Sequence, residues 1–377
     1  MKANMTKIKF FLLAILLSTI FPEVYSQTLP NKASVLSKMV LTNEHFMKNY
    51  PDPSQPIVTN VTRPSNIWTR AVYYEGLMGL YGIDPQQEYL KYAVEWGRSH
   101  KWQPAYDIKT RDADNQCCGQ TYIDLYLIDK KPDRIKYIKE CIDSEIATNK
   151  INYWSWIDAM QMGMPVFAKL GVVYHDNRYF KRMYEMYSHT KKMLFNPKDG
   201  LWWRDSTFLP PYKEPNGQYC YWSRGNGWVV AALVRVSKVI PKTTVGYQDY
   251  KNTYLAMMKA LLPLQRKDGF WNVSLEDPEH FGGKETSGTS LFLYGMAWGV
   301  NKGWLNRKTY MPAIIKAWNG LANEALHPDG MLGYVQGTGK QPSDGQPVGY
   351  NHLPDFRDYG VGCFLLAGSE VYKLAPK

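Results

Sequence analysis

The sequence predicts an all-α protein built as an (α/α)6 barrel, six helical hairpins forming an inner ring of six helices inside an outer ring of six. Three observations carry this. Twelve stretches have helical spacing with almost no alternating strand pattern, wet and apolar stretches alternate along the chain, and an Asp-Gly turn recurs between them. The 377 residues are 45% hydrophobic and 14% aromatic. That is enough for a large core and too much for a disordered or low-complexity chain.

In order, the helical stretches span residues 34–49, 67–81, 86–98, 115–128, 133–147, 155–171, 176–195, 223–239, 247–264, 285–301, 307–325 and 358–374. The odd-numbered ones are amphipathic and rich in charge, as in Asp133-Arg134-Ile135-Lys136-Tyr137-Ile138-Lys139 and in Arg178-Tyr179-Phe180-Lys181-Arg182. A helix with one apolar stripe has one wet face. The even-numbered ones are mostly apolar and carry many small residues, as in Gly225 to Val234 and Gly288 to Gly299. Helices apolar all round are buried, so these form the inner ring.

Asp199-Gly200, Asp268-Gly269 and Asp329-Gly330 each follow an odd stretch and precede an even one, at spacings of 69 and 61 residues. Asp-Gly signals a tight turn, and the aromatics that follow suit a short extended piece. The unit is therefore a repeated helical hairpin with a variable loop. Nothing resembles a linker, so residues 27–377 read as one domain.

Residues 1–26 read as a secretory signal peptide. Lys2, Lys7 and Lys9 precede the apolar run Phe10 to Phe21, and Val24-Tyr25-Ser26 ends on a small residue. The run is too short to span a bilayer, and no later segment approaches 18 uninterrupted apolar residues. The expectation is an exported, periplasmic protein free of the membrane after cleavage. Taking away the three Lys and Glu23 lowers the formal net charge from +11 to +9. No Lys/Arg run or basic recognition motif turns that surplus into a nucleic-acid footprint. A basic surplus of this size favours attraction of an anionic partner. The five cysteines (Cys117, Cys118, Cys141, Cys220, Cys363) are odd in number and lack CxxC spacing. They call for neither a disulfide framework nor a zinc site.

If the even helices form the inner ring, their N-termini share one end of the barrel, where side chains would line a cavity. Trp68 and Arg70 open the second helix, Asp112 and Asp114 precede the fourth, and Trp156 and Asp158 open the sixth. Trp222, Arg224, Asn226 and Trp228 open the eighth, Glu285 the tenth, and Arg357, Asp358 and Tyr359 the twelfth. Asp112, Glu285 and Asp358 read equally well as helix caps. Capping does not account for Trp and Arg at the same end. Ring faces that stack on sugars, beside carboxylates and Arg that bond hydroxyls, point to a carbohydrate site. Asp158 stands in an apolar, Trp-rich context that raises a carboxyl pKa and prepares a general acid, and Asp114 on the adjacent helix pairs with it.

Three motifs carry a resemblance: Trp154 with Asp158, Gly163 and Pro165; Asp112 and Asp114 with Gly119-Gln120; and Trp222-x-Arg224-Gly225-Asn226-Gly227-Trp228. The chain resembles the unsaturated glucuronyl and rhamnogalacturonyl hydrolases of glycoside hydrolase families 88 and 105, from Trp68 to Glu370. The resemblance implies an (α/α)6 barrel and substrates left by polysaccharide lyases, ending in a uronic acid with a C4–C5 double bond. It implies that Asp158 protonates C4 and then activates water, that Asp114 orients the sugar and modulates Asp158, and that Arg224 and Trp228 contact the sugar with Trp222 as a stacking surface. It calls for no metal and no organic cofactor, and the sequence shows no metal-ligand cluster or phosphate loop. One departure stands out: where many members have His, this chain reads Leu201-Trp202-Trp203-Arg204. Arg keeps a fixed charge and forks onto carboxylate or sulfate, which argues against the familiar rhamnogalacturonan disaccharide as substrate. Beside it, Pro210 to Asn216 shapes the far side of the pocket, and His352, in the loop before the last helix, reads either as a further substrate-binding residue facing the same cleft or as a surface His.

Two other readings fit the same residues. One is a two-carboxylate glycosidase acting on saturated sugars, the other a non-catalytic exported glycan-binding protein. A sugar epimerase would want histidines on inner helices, whereas the seven here mostly fall on outer helices or loops.

Overall fold

A computed structural model describes residues 28–377; the signal peptide read at residues 1–26 lies outside the described residues. Twelve principal helices follow one another: α1 (Lys32–Asn49), α2 (Trp68–Tyr81), α3 (Gln87–Ser99), α4 (Gly119–Asp129), α5 (Asp133–Ile146) and α6 (Asp158–Tyr174). They continue as α7 (Asn177–Leu194), α8 (Ser223–Val239), α9 (Tyr247–Leu261), α10 (Thr286–Lys302), α11 (Arg307–Gly320) and α12 (Asp358–Leu374). Each even helix packs on the next, and α12 returns to α2, which closes the inner ring. The odd helices lie outside: α1 on α12, α7 on α6, α9 on α8 and α11 on α10. This is the (α/α)6 barrel. Among the described residues no helix is long and apolar enough to cross a membrane.

Burial follows composition. In α6 every residue from Asp158 to Gly171 is buried, whereas α7 buries one stripe, Tyr179, Phe180, Met183, Met186, Tyr187, Thr190 and Leu194. The predicted fourth helix is interrupted: a turn over Ala113–Gln116 precedes α4, and Asp112 caps that turn through Asp114 N. Pro165 lies inside α6 and removes the N–H that would bond the Gln161 carbonyl. That carbonyl accepts from Gln120 Nε2 of α4 at 2.7 Å instead, so the break in one helix binds its neighbour. The three Asp-Gly turns carry glycines with φ of 70°, 91° and 96°, which an L side chain adopts only with strain. Short extended pieces follow each, the first pairing Leu201–Trp202 with Phe195–Asn196. All five cysteines are buried and free.

Ring closure depends on glycine. A Cβ on Gly362 of α12 would lie 2.1 Å from the Val72 carbonyl oxygen of α2, and one on Gly76 would lie 2.5 Å from the Gly362 carbonyl oxygen. These contacts are backbone on backbone and cannot relax by a rotamer change. Gly362→Ala is therefore expected to cost about 3 kcal/mol or more, at the upper end of overpacking effects. Chemical denaturation checks this, and a midpoint equal to that of the parent would contradict so close a helix contact.

Candidate active site

The N-termini of the inner helices share one end of the barrel, and a pocket of about 210 Å³ opens there. Trp68 and Thr69 reach it from the start of α2, Asp114 from the turn before α4, and Trp156, Asp158 and Met162 from the entry and first turns of α6. Arg63, Ile67, Arg204, Thr338, Gly339 and Phe356 complete the lining. Five of the residues expected at a sugar site, Asp114, Asp158, Arg204, Trp68 and Trp156, thus meet in one cavity.

Local backbone bonds set the register of this group. Ile157 N donates to the Arg204 carbonyl at 3.0 Å, and Trp156 bridges Asp205, so the loop before α6 runs antiparallel to residues 204–205. Arg204 then reaches Asp158: its Nε donates to Asp158 Oδ2 at 3.1 Å, and its Nη1 donates to Asp205 Oδ2 at 2.7 Å. Asp205 is itself fixed, accepting from Thr207 N at 2.9 Å and Thr207 Oγ1 at 2.5 Å.

The two pocket carboxyls differ in their charge environment. Burial is the main cause that pushes Asp114 up to about 8, reinforced by Asp112 and Asp158 and opposed by Arg204. Asp114 therefore holds a proton at neutral pH. Burial also raises Asp158, but Arg204 and Arg224 oppose it directly. Asp205 stays below the usual carboxylate range despite its burial, because Thr207 and Arg204 bond it. The pair can therefore hold one proton between two carboxyls, the condition for acid–base work.

Other expected contacts stand behind the pocket wall. Arg224 is 1% exposed and spends its fork on backbone: Nη1 donates to the Gln336 carbonyl at 2.9 Å and Nη2 to the Gly337 carbonyl at 2.7 Å. Trp222 Nε1 donates to Gln336 Oε1 at 2.9 Å, and the Trp222 ring lies under the Arg224 guanidinium. Trp228 is fully buried, with its ring 6.2 Å from that of Trp68 at a near-perpendicular angle. Tyr359 is fully buried as well; its hydroxyl donates to the Gln336 carbonyl and its ring supports Trp68 at 5.3 Å. These four are not among the residues that line the cavity. The reason is packing: α8 begins beneath the 336–339 loop, so its first turn meets that loop and not open space. His352 also lies outside the lining, in the loop before α12. Of the three ambiguous acids, Asp112 and Glu285 cap helices, and Asp358 forms a buried pair with Arg70 at 2.9 Å.

The residues that the sequence left unmarked are Arg63, Ile67, Thr69, Met162, Thr338, Gly339 and Phe356. Arg63 lies over the Phe356 ring at 5.4 Å. Metal-ligand spacing was absent from the sequence, yet the fold gathers Glu214, Asp277 and His280 with ligand atoms within 4.8 Å of one another, outside the pocket. Asn216 N bonds Asp277 and Ser274 Oγ bonds Glu214, so these groups tie the 210–216 insert to the 274–281 segment.

A closed helical barrel with paired carboxyls, Trp and Arg at one mouth is the architecture of a glycoside hydrolase. Comparison with known proteins agrees: the profile of Glycosyl Hydrolase Family 88 matches residues 38–375, and the chain belongs to that family. It is 32% identical over 327 residues to an unsaturated 3S-rhamnoglycuronyl hydrolase of Formosa agariphila, covering 81% of this chain and 84% of that one. A family 88 glycosyl hydrolase from Bacteroides vulgatus superposes with a TM-score of 0.84 at 32% identity, over 91% of this chain and 99% of the other. A structure described as a polysaccharide lyase superposes with a TM-score of 0.83, also at 32% identity, over 91% of this chain and 98% of its own.

Proposed function

We propose that this glycoside hydrolase is exported to the periplasm and releases the terminal 4,5-unsaturated uronic acid from oligosaccharides made by polysaccharide lyases. The observation that carries the reading is the placement of Asp114 and Asp158 in one small pocket that Trp68, Trp156 and Arg204 also line, with Asp158 bonded to Arg204. The likeness to a hydrolase of unsaturated rhamnoglycuronyl sugars supports the same substrate class. The C4–C5 bond of such a sugar is an enol ether. Asp158 protonates C4, the positive charge develops at C5, and water adds there as Asp158, now ionised, takes its proton. The resulting hemiketal opens and frees the aglycone. Trp68 and Trp156 present ring faces to the sugar. No metal enters these steps.

A panel of lyase-generated oligosaccharides (pectic, ulvan-type, glycosaminoglycan and arabinogalactan), followed by absorbance of the double bond, tests the reading. The expected result is loss of absorbance together with release of a monosaccharide. Turnover of a saturated disaccharide with no loss on the unsaturated one would instead establish a two-carboxylate glycosidase. Absorbance that rises on a saturated uronide would establish a lyase, and binding without any turnover a glycan-binding protein.

A further inference from the structure

Arg204 lines the pocket with part of its hydrogen-bonding capacity already taken by neighbouring carboxylates. Its Nε serves Asp158 and its Nη1 serves Asp205, while Nη2 bonds no group among the described residues and the side chain, 20% exposed, lines the pocket. A guanidinium has a planar fork suited to two-point contact with a carboxylate, and this one has an edge free. The 3.1 Å contact to Asp158 is the longer of its two bonds, and Asp205 is anchored by Thr207 while Asp158 is not. An incoming carboxylate therefore competes with Asp158 for Arg204 and leaves Asp205 in place.

We propose that Arg204 is the receptor for the carboxylate of the substrate, so that the pocket selects an anionic sugar over its uncharged counterpart. This rests on the function proposed above. The charged groups around Asp158 are Arg204 and Asp205 from the loop after the first Asp-Gly turn, Arg224 at the start of α8, Asp114 with Asp112 beside it, and Arg63 in the same lining. Arg204 keeps its Nη1 bond to Asp205, which holds the guanidinium at the pocket while the carboxylate is seated.

The test compares an acid with its uncharged twin. Binding of the saturated methyl glycoside of glucuronic acid and of its methyl ester is measured by calorimetry with the parent, Arg204→Met, Arg204→Lys and Arg63→Met. The parent should prefer the acid by on the order of tenfold to a hundredfold, the worth of a charge-assisted bond. Arg204→Met should abolish that preference, Arg204→Lys should keep part of it, and Arg63→Met should keep all of it. A preference that survives in Arg204→Met, or that collapses only in Arg63→Met, overturns the proposal. Because the measurement is binding, it reads Arg204 even if the unsaturated panel shows no turnover, the result that would sink the proposed function itself.

Discussion

Asp158→Asn is expected to lower kcat on the unsaturated disaccharide by about a thousandfold, the usual scale for loss of a positioned general acid, with the fold intact. The amide keeps the shape of the carboxyl, and its oxygen can still accept from Arg204 Nε. Burial disfavours the charged form of Asp158, so neutralising it removes a desolvation cost as well as an ion pair. The thermal midpoint should therefore stay close to that of the parent. A melt that collapses along with activity would make Asp158 structural, and activity within tenfold of the parent would remove it from the chemistry. The parent has a matching pH signature. Asp114 is raised to about 8, so below that pH its carboxyl carries a proton. Above it, that proton is lost and the pocket gains negative charge facing an anionic sugar. Thus kcat/KM, which reports the free enzyme, should fall as pH rises through about 8. A profile flat to pH 10 would place the proton elsewhere.

Much of this arrangement is legible before any coordinates. Periodicity locates the helices because inner helices such as α10 and α12 are almost wholly apolar, while outer ones such as α7 carry one charged face. Knowing which end of a helix a residue occupies then places Trp68, Asp114, Trp156 and Asp158 at one mouth. What periodicity does not encode is azimuth. Arg224 stands at the same end as Asp158 but is turned toward the 336–337 backbone, over a hundred residues away in sequence, and nothing local announces that partner. Loop residues such as Thr338, Gly339 and Phe356 have no period at all. Their loop is placed by Thr338 N donating to Asp355 Oδ1 at 2.8 Å and by the clamp from α8. Arg204 lies between these cases. Its departure from the family pattern is visible in the sequence, but its bond to Asp158 depends on the backbone pairing of residues 156–157 with 204–205.

The same azimuth argument sets the last prediction. Arg224→Met should cost about 3 kcal/mol or more, because two hydrogen bonds from a charged donor to buried carbonyls are lost at once. Tyr359 still serves the Gln336 carbonyl, but the Gly337 carbonyl keeps no donor. Gly337 leads directly into Thr338 and Gly339, which form one wall of the pocket. Release of that wall should lower kcat/KM by roughly a hundredfold, the scale on which small misplacements act. An Arg that touched the sugar would behave differently: its loss would raise KM and leave the melt alone. Hydrogen exchange separates the two cases, since a lost clamp speeds exchange over residues 337–345 in the free protein and a lost sugar contact does not. Arg224→Lys should rescue little, because an ammonium is a single point and cannot span two carbonyls as the planar fork does. Full activity in that variant, with the 337–345 segment protected, would return Arg224 to the sugar.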